Sequence, residues 1–299
     1  VSAASGLEAT SATEAPALEV LEPGPLALVE DLGRPGFAHL GVAPSGALDR
    51  GALAFANRLV GKPADAAGLE LLGGGFRARF TASRWFAVTG AWGAVRLDGR
   101  RIAPDAAAHA DAGSILELGT PERGLRWYLA VRGGLDEQPV LGSRSTDTLA
   151  GLGPRPVAAG RVLRFGAEPE ASVPAFDGAG APPPDGPVTL ALRPGPRAEW
   201  FTDASRQALF DATWRCSPAA DRVGVRLDGV PIERRVDGEL PSEGTVPGSI
   251  QVPPSGLPVI LLADRPVTGG YPVIAVVAEA SLDAVAQLRP GQPVRFRHA

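Results

Sequence analysis

Apolar residues in this chain fall in short runs rather than in long helical stripes. Trp85–Thr89, Ile115–Leu118, Trp127–Val131, Val188–Leu192, Val259–Leu262 and Val273–Val277 are apolar segments bounded by turn formers, the pattern of buried strands. Helical periodicity is rarer. The clearest case starts at Ser45, which is expected to cap the first turn; Leu48, Ala52, Phe55 and Leu59 then share one face, and Gly61 and Pro63 supply the stop. Two further helices are expected over Asp203–Ala212 and over Leu282–Leu288, the latter capped by Ser281. Many strands with a few helices fit β-barrels covered at their ends.

The chain divides once. Residues 168–187 read EPEASVPAFDGAGAPPPDGP, with almost nothing to bury, and mark a linker between a first barrel over 18–167 and a second over 188–299. The halves echo each other. Pro23-Gly24-Pro25 answers Pro194-Gly195-Pro196, Pro44-Ser45-Gly46 answers Pro254-Ser255-Gly256, and the closing G-R-V-L-R-F at 160–165 answers G-Q-P-V-R-F at 291–296. Their shared order points to a duplicated barrel. Residues 1–17 are rich in Ser, Ala, Thr and Glu and lack the basic and apolar regions of a signal peptide, so a disordered tail is expected.

Composition narrows the chemistry. Gly (38) and Pro (30) are abundant among 299 residues, which favours turns over long helices. A net charge of -4 offers no basic face to nucleic acid, and no apolar run is long enough for a membrane span. One cysteine, Cys216, suits a reducing, cytoplasmic setting and excludes an internal disulfide. Lys62 is the sole lysine, in Gly-Lys-Pro, which leaves no phosphate loop and no biotin-attachment segment. His39, His109 and His298 are scattered, so no metal site is expected.

What remains is a set of polar loops framed by Gly and Pro. They hold Asp31, Ser45 and Asp49; then Arg144; then Arg222 and Arg226; then Glu243 and Gln251; then Asp264, Thr268 and Tyr271. Singly, such loops are turns and surface ion pairs. Together, at a barrel mouth, they would bring carboxylate, guanidinium, amide and hydroxyl groups onto a small polar ligand. Arginine forks take a carboxylate, and amide or backbone donors polarise a carbonyl.

The same stretches carry a resemblance. V-E-D-L-G-R-P-G-F (29–37), G-V-A-P-S-G-A-L-D (41–49), G-S-R-S-T (142–146), D-R-V-G-V-R-L (221–227), E-L-P-S-E-G (239–244), G-S-I-Q-V-P-P-S-G (248–256) and D-R-P-V-T-G-G-Y-P (264–272) resemble the KipA-type family, which includes the C-type component of 5-oxoprolinase and is similar to part of the carboxyltransferase region of urea carboxylase. The sequence departs from the family pattern at Leu48, Val223, Leu257 and Pro266-Val267. The resemblance implies two tandem cyclophilin-like barrels and an ATP-dependent opening of 5-oxoproline to glutamate. It implies a KipI-type (B-type) protein and a LamB/YcsF-type (A-type) protein as partners, with ATP held at a site shared with a partner. Arg222, Glu243 and Asp264 are then the expected catalytic residues. Arg226, Gln251, Tyr271, Thr268, Asp31, Ser45, Asp49 and Arg144 are the expected substrate-binding ones. A partner interface would draw its apolar centre from aromatics such as Trp200, Phe201 or Trp92, residues that equally suit the core. Two alternatives stand beside this. One is biotin-dependent carboxyl transfer to urea or another small amide, the biotin arriving on another protein. The other is non-catalytic binding of a KipI-type inhibitor. Allophanate hydrolysis by the chain alone is not expected, because no Ser–Ser–Lys segment is present.

Overall fold

The computed structural model describes residues 15–175, 180–236, 238 and 240–299. Most of the expected tail, residues 176–179 of the linker and Glu239 of the E-L-P-S-E-G motif lie outside these. The expected tail also ran too far, since Ala17 already begins a strand and is 1% exposed.

Strand alternation builds the first half. In Phe76–Phe80, Phe76, Ala78 and Phe80 face the core while Arg77 and Arg79 face out. The outward arginines meet Glu22, Glu117 and Glu19 across the sheet at 2.6, 3.0 and 2.7 Å, cross-strand pairs of small individual weight. Nine strands form this sheet, from Ala17–Pro23 to Val162–Arg164. The runs expected as separate strands at 115–118 and 127–131 are one strand, Ile115–Val131, and its antiparallel partner Arg84–Leu97 follows it through register shifts near Trp92 and Gly93. The second half is a closed ring of seven strands between Val188 and His298. A two-stranded ribbon, Glu243–Gly244 with Thr268–Gly269, stands beside it. The architecture is mainly β in two halves, as expected, but only the second closes as a hydrogen-bonded ring.

The echoes have a partial counterpart. Both Pro-Gly-Pro turns follow the first strand of their half, and both R-F segments lie in or beside the last. The last strand pairs with the first antiparallel in the first half but parallel in the second. Pro44-Ser45-Gly46 leads into a helix, whereas Pro254-Ser255-Gly256 turns between two strands.

Helix α1 spans Arg50–Leu59, α2 Asp203–Asp211 and α3 Leu282–Ala286. Ser45 does not cap α1. Asp49 does, accepting from Ala52 N at 2.8 Å. Ser45 instead has φ 55, and Gly46 has φ 94, so the chain is still turning there. The later start shifts the buried face to Leu53, Ala56, Asn57 and Leu59. Ser281 precedes α3 without capping it; its hydroxyl accepts from Ala191 N instead. Of the aromatics that suited either an interface or the core, Phe201 is fully buried in the second core, and Trp200 is packed against that core. Among the described residues no helix is long and apolar enough to cross a membrane.

The halves share an interior. Leu48 leaves the first half and joins the buried cluster of the barrel core, which also holds Leu190, Phe201 and Ile250. Its loop lies against the Asp31–Arg34 turn so tightly that a Cβ on Gly33, at φ +88, would come within 2.4 Å of the Pro44 oxygen. Gly33→Ala is therefore expected to lose at least about 2 kcal/mol from left-handed strain and overpacking. Urea denaturation checks this, with the control Gly99→Ala, where a Cβ meets nothing within 4 Å, losing only the strain.

Candidate functional site in the cleft between the halves

A buried ion cluster joins the two halves. In the strand Gly68–Leu72, Leu69 and Leu71 enter the first core, so the period of two turns Glu70 to the opposite face beside Tyr128. Glu30 ends the neighbouring strand Leu26–Glu30. From the second half come Arg222, in the turn before Gly224–Asp228, and Asp264, after Val259–Leu261. Arg222 donates to Asp264 through Nε at 2.9 Å, to Glu70 through Nη1 at 2.5 Å, and to the Gly46 carbonyl through Nη2 at 2.7 Å. Glu30 lies 3.3 Å from Nη2.

Each acid has a distinct state. Asp264 is buried, which raises its value, but Arg222, Ser45 and Thr148 together hold it below the ordinary carboxylate range. Ser45 Oγ donates to Asp264 at 2.6 Å, and Thr148 donates through N and Oγ1 at 2.9 and 2.7 Å. Glu30 is pushed well up by complete burial, which outweighs Arg222 and is reinforced by Glu70 and Asp264. Neither of its oxygens accepts a hydrogen bond. Two guanidinium groups, Arg222 and Arg126, face three carboxyls, the second through a 3.5 Å contact with Glu70. The upward shift of Glu30 runs in the direction that lessens the excess of negative charge.

Next to it, Glu70 accepts from Tyr128 OH and Leu48 N, both at 2.9 Å, and Tyr128 OH accepts from Asp49 N at 2.8 Å. Gln287, after α3, donates to Asp49 Oδ2 at 2.7 Å and accepts from Leu125 N and Arg126 N. Burial and the nearby Asp283 charge raise Asp49 to about 7.

Above the cluster lies a cleft of about 560 Å³, lined by Leu32, Pro44, Ser45 and Leu48 from the first half and by Arg265 and Leu282 from the second, among others. Ser45 connects the two layers, forming part of the cleft wall while donating to Asp264. A cleft with mostly apolar walls and a few directed polar groups suits a small organic ligand.

This chain matches the model for carboxyltransferase domains, subdomains A and B, over residues 40–298. The chain belongs to that carboxyltransferase-domain family. It is 38% identical to the C component of Escherichia coli 5-oxoprolinase over 282 residues, covering 93% of this chain and 90% of that one. It resembles the crystal structure of TTHA0988 with a TM-score of 0.86 at 39% identity, covering 95% of this chain but only 56% of that one. It also resembles the Kluyveromyces lactis urea carboxylase structure, with a TM-score of 0.88 at 31% identity, spanning 27% of that longer chain.

The residues anticipated for the site fall into separate places. Ser45, Asp49, Arg222 and Asp264 meet at the boundary of the halves. There Arg222 is 3% exposed with every nitrogen engaged, so it has no free fork for a substrate carboxylate. Asp31 ties loops together, accepting from Gly33 N, Ser143 Oγ, Arg144 N and Ser145 Oγ at 2.6–2.7 Å. The Arg144 side chain donates to the Glu137 carbonyl. Glu243 is bound by Arg197, whose hydrogen bonds lower its pKa, the opposite of what a general base near neutrality needs. It sits on the ribbon with Thr268, and Gln251 donates to the Tyr271 carbonyl nearby. Arg226 points out of the barrel wall, exposed, and donates to Ala219 O. Glu70 and Tyr128 were not singled out from sequence, and Glu30 and Arg265 stood within the polar loops without being expected as site residues. Lys62 is buried against Ala67 O in a separate cavity of about 290 Å³, where burial lowers its ammonium to about 8. Among the described residues no three His, Cys, Asp or Glu side chains are grouped to hold a metal ion.

Two outcomes follow. Removing one partner from the cluster, as in Arg222→Met or Asp264→Asn, strands buried charge and is expected to cost about 3–5 kcal/mol in urea denaturation, with strong non-additivity in the double variant. The second concerns pH. Asp49 and Glu30 hold protons more tightly folded than unfolded, so stability is greatest below their unfolded values and falls as pH rises. For Asp49 the window runs from 3.8 to about 7. Asp283→Asn removes the like charge and is expected to flatten that slope, read from denaturation midpoints across the window.

Proposed function

We propose that this chain is the C-type component of an ATP-dependent 5-oxoprolinase and that the cleft between its halves is where the lactam is held. The observation that carries the reading is likeness to the Escherichia coli C component along nearly the whole of both chains. An unstrained lactam resists hydrolysis. Transfer of the ATP γ-phosphoryl group to the lactam oxygen releases ADP and makes that oxygen a leaving group. One water then adds to the carbon and the ring C–N bond opens to give γ-glutamyl phosphate, from which a second water releases phosphate and glutamate. In this reading Asp264, held ionised, orients the Ser45 hydroxyl at the cleft wall, and Arg222 with Glu30 and Glu70 fixes the two halves around it. The one lysine faces another cavity, away from the cleft lining. ATP is accordingly assigned to a site shared with a B-type, KipI-like partner, with an A-type, LamB/YcsF-like protein completing the enzyme.

A second reading, carboxyl transfer to urea or a similar amide, is favoured by the likeness to urea carboxylase. Biotin would then come from another protein, because Lys62 is 8% exposed and anchored to Ala67.

Reconstitution with the A-type and B-type proteins tests the first reading. Glutamate release from 5-oxoproline is expected to require ATP and this chain, to be insensitive to avidin, and to fall at least about tenfold in Ser45→Ala, the loss of one charge-assisted hydrogen bond. Avidin-sensitive carboxylation without lactam opening would favour the second reading. Growth on 5-oxoproline in the absence of this gene would favour a purely binding role.

A further inference from the structure

Among the described residues, one cation in the cleft has no acidic counterpart. Arg265 follows Asp264 in sequence and is 5% exposed. Its Nη2 donates to the Thr245 carbonyl at 3.2 Å, but among the described residues Nε and Nη1 meet no acceptor, and both are closed to solvent. The adjacent Asp264 is fully occupied by Arg222, Ser45 and Thr148. Arg126, the other buried arginine near Arg222, reaches both Glu70 and the Ala286 carbonyl. An unmatched buried guanidinium is unfavourable by several kcal/mol, and such a group calls for an acceptor supplied from outside.

The surroundings restrict that acceptor. The ionisable residues lining the cleft are Arg50, Arg265, Glu279 and Asp283, two of each sign. Asp283 is engaged by Arg50 N and Gly51 N at the start of α1, and Arg50 Nη1 donates to Leu32 O. A multiply charged phosphate would meet two carboxylates and one buried guanidinium, Arg50 being exposed to solvent. A monoanion matches that guanidinium alone, and Leu48, Leu262 and Leu282 offer apolar surface to its body.

We infer that Arg265 receives the carboxylate of a small, compact organic acid entering the cleft between the halves. The guanidinium turns from its Thr245 contact to meet the ligand, so this side chain differs between free and bound protein. On the function proposed above, on which this assignment rests, the acid is 5-oxoproline and its lactam ring lies toward Ser45.

Calorimetric titration of the full chain, alone and with its B-type partner, tests the assignment. The probes are 5-oxoproline, 2-pyrrolidinone (the ring without its carboxylate), cyclopentanecarboxylate (the carboxylate without its lactam) and inorganic phosphate. The two carboxylates are expected to bind, pyrrolidinone and phosphate at least about tenfold more weakly. Arg265→Gln is expected to weaken the carboxylates at least about tenfold, with Arg265→Lys intermediate and the exposed control Arg96→Gln unchanged. Removing an unmatched buried cation should also leave the melting temperature equal or higher, whereas a merely structural arginine would lower it. Carboxylate binding undiminished in Arg265→Gln overturns the inference, as does phosphate outcompeting the carboxylates, failure of every acid to bind, or a lowered melting temperature in both variants. The two readings separate. Cyclopentanecarboxylate bound through Arg265 without 5-oxoproline binding keeps the carboxylate site and removes the oxoprolinase function. Glutamate release by a reconstituted Arg265→Gln complex at the unaltered KM and kcat keeps the function and removes the site.

Discussion

Arg222 stands where two halves that each have their own sheet must meet. Its guanidinium crosses the boundary to Glu70, Glu30 and the Gly46 carbonyl, and turns back to Asp264 in its own half. Charges taken this far from water are tolerable only when geometry and hydrogen bonding are nearly complete. That requirement fixes more than one pair of atoms. It sets the height of the Ser45–Leu48 loop and pulls the Asp264 and Glu30 carboxyls in opposite directions, the first down and the second up. Ordinary surface pairs, such as those of Arg77 and Arg79, impose nothing comparable.

The cleft is a consequence of that junction. Its wall on one side is the loop held down by Arg222, and its polar character comes from neighbours in sequence with opposite circumstances. Asp264 has all its acceptor capacity used within the protein, while Arg265 has donors left over. Two successive residues thus separate holding the architecture from addressing a ligand. The ribbon bearing Glu243 and Thr268 adjoins this wall through Thr245, which accepts from Arg265 and donates to Pro266 O.

The fold was legible because its signals are local. Apolar runs between turn formers mark strands whatever their partners, and the three helices begin within a few residues of their expected places. The α1 start was misplaced because Ser45 has the right chemistry for a cap, but its hydroxyl bonds a carboxylate over two hundred residues away. The site was harder to see. The Asp-Arg pairs drew attention to Arg222 and Asp264, yet sequence carries no sign that their charges would be consumed by each other and by two glutamates. Glu30 and Glu70 are single polar letters in L-A-L-V-E and G-L-E-L-L, where an acid in an apolar strand is the only trace of a buried junction. Arg265 lies inside the D-R-P-V-T-G-G-Y-P motif, but its lack of partners exists only in three dimensions.

Leu48 gives the arrangement a different kind of consequence. A residue encoded in the first sixth of the chain completes a core whose strands begin only at Val188. During synthesis the first half emerges early and must keep that loop uncommitted until most of the remaining chain has left the ribosome. The final native contacts are therefore among the most distant in sequence, and their closure adds an entropic delay to folding. Cutting the chain in the Pro- and Gly-rich segment would yield two pieces that each expose surface meant for the other. Complementation between separately expressed halves, rather than independent folding, is the behaviour this shared interior dictates.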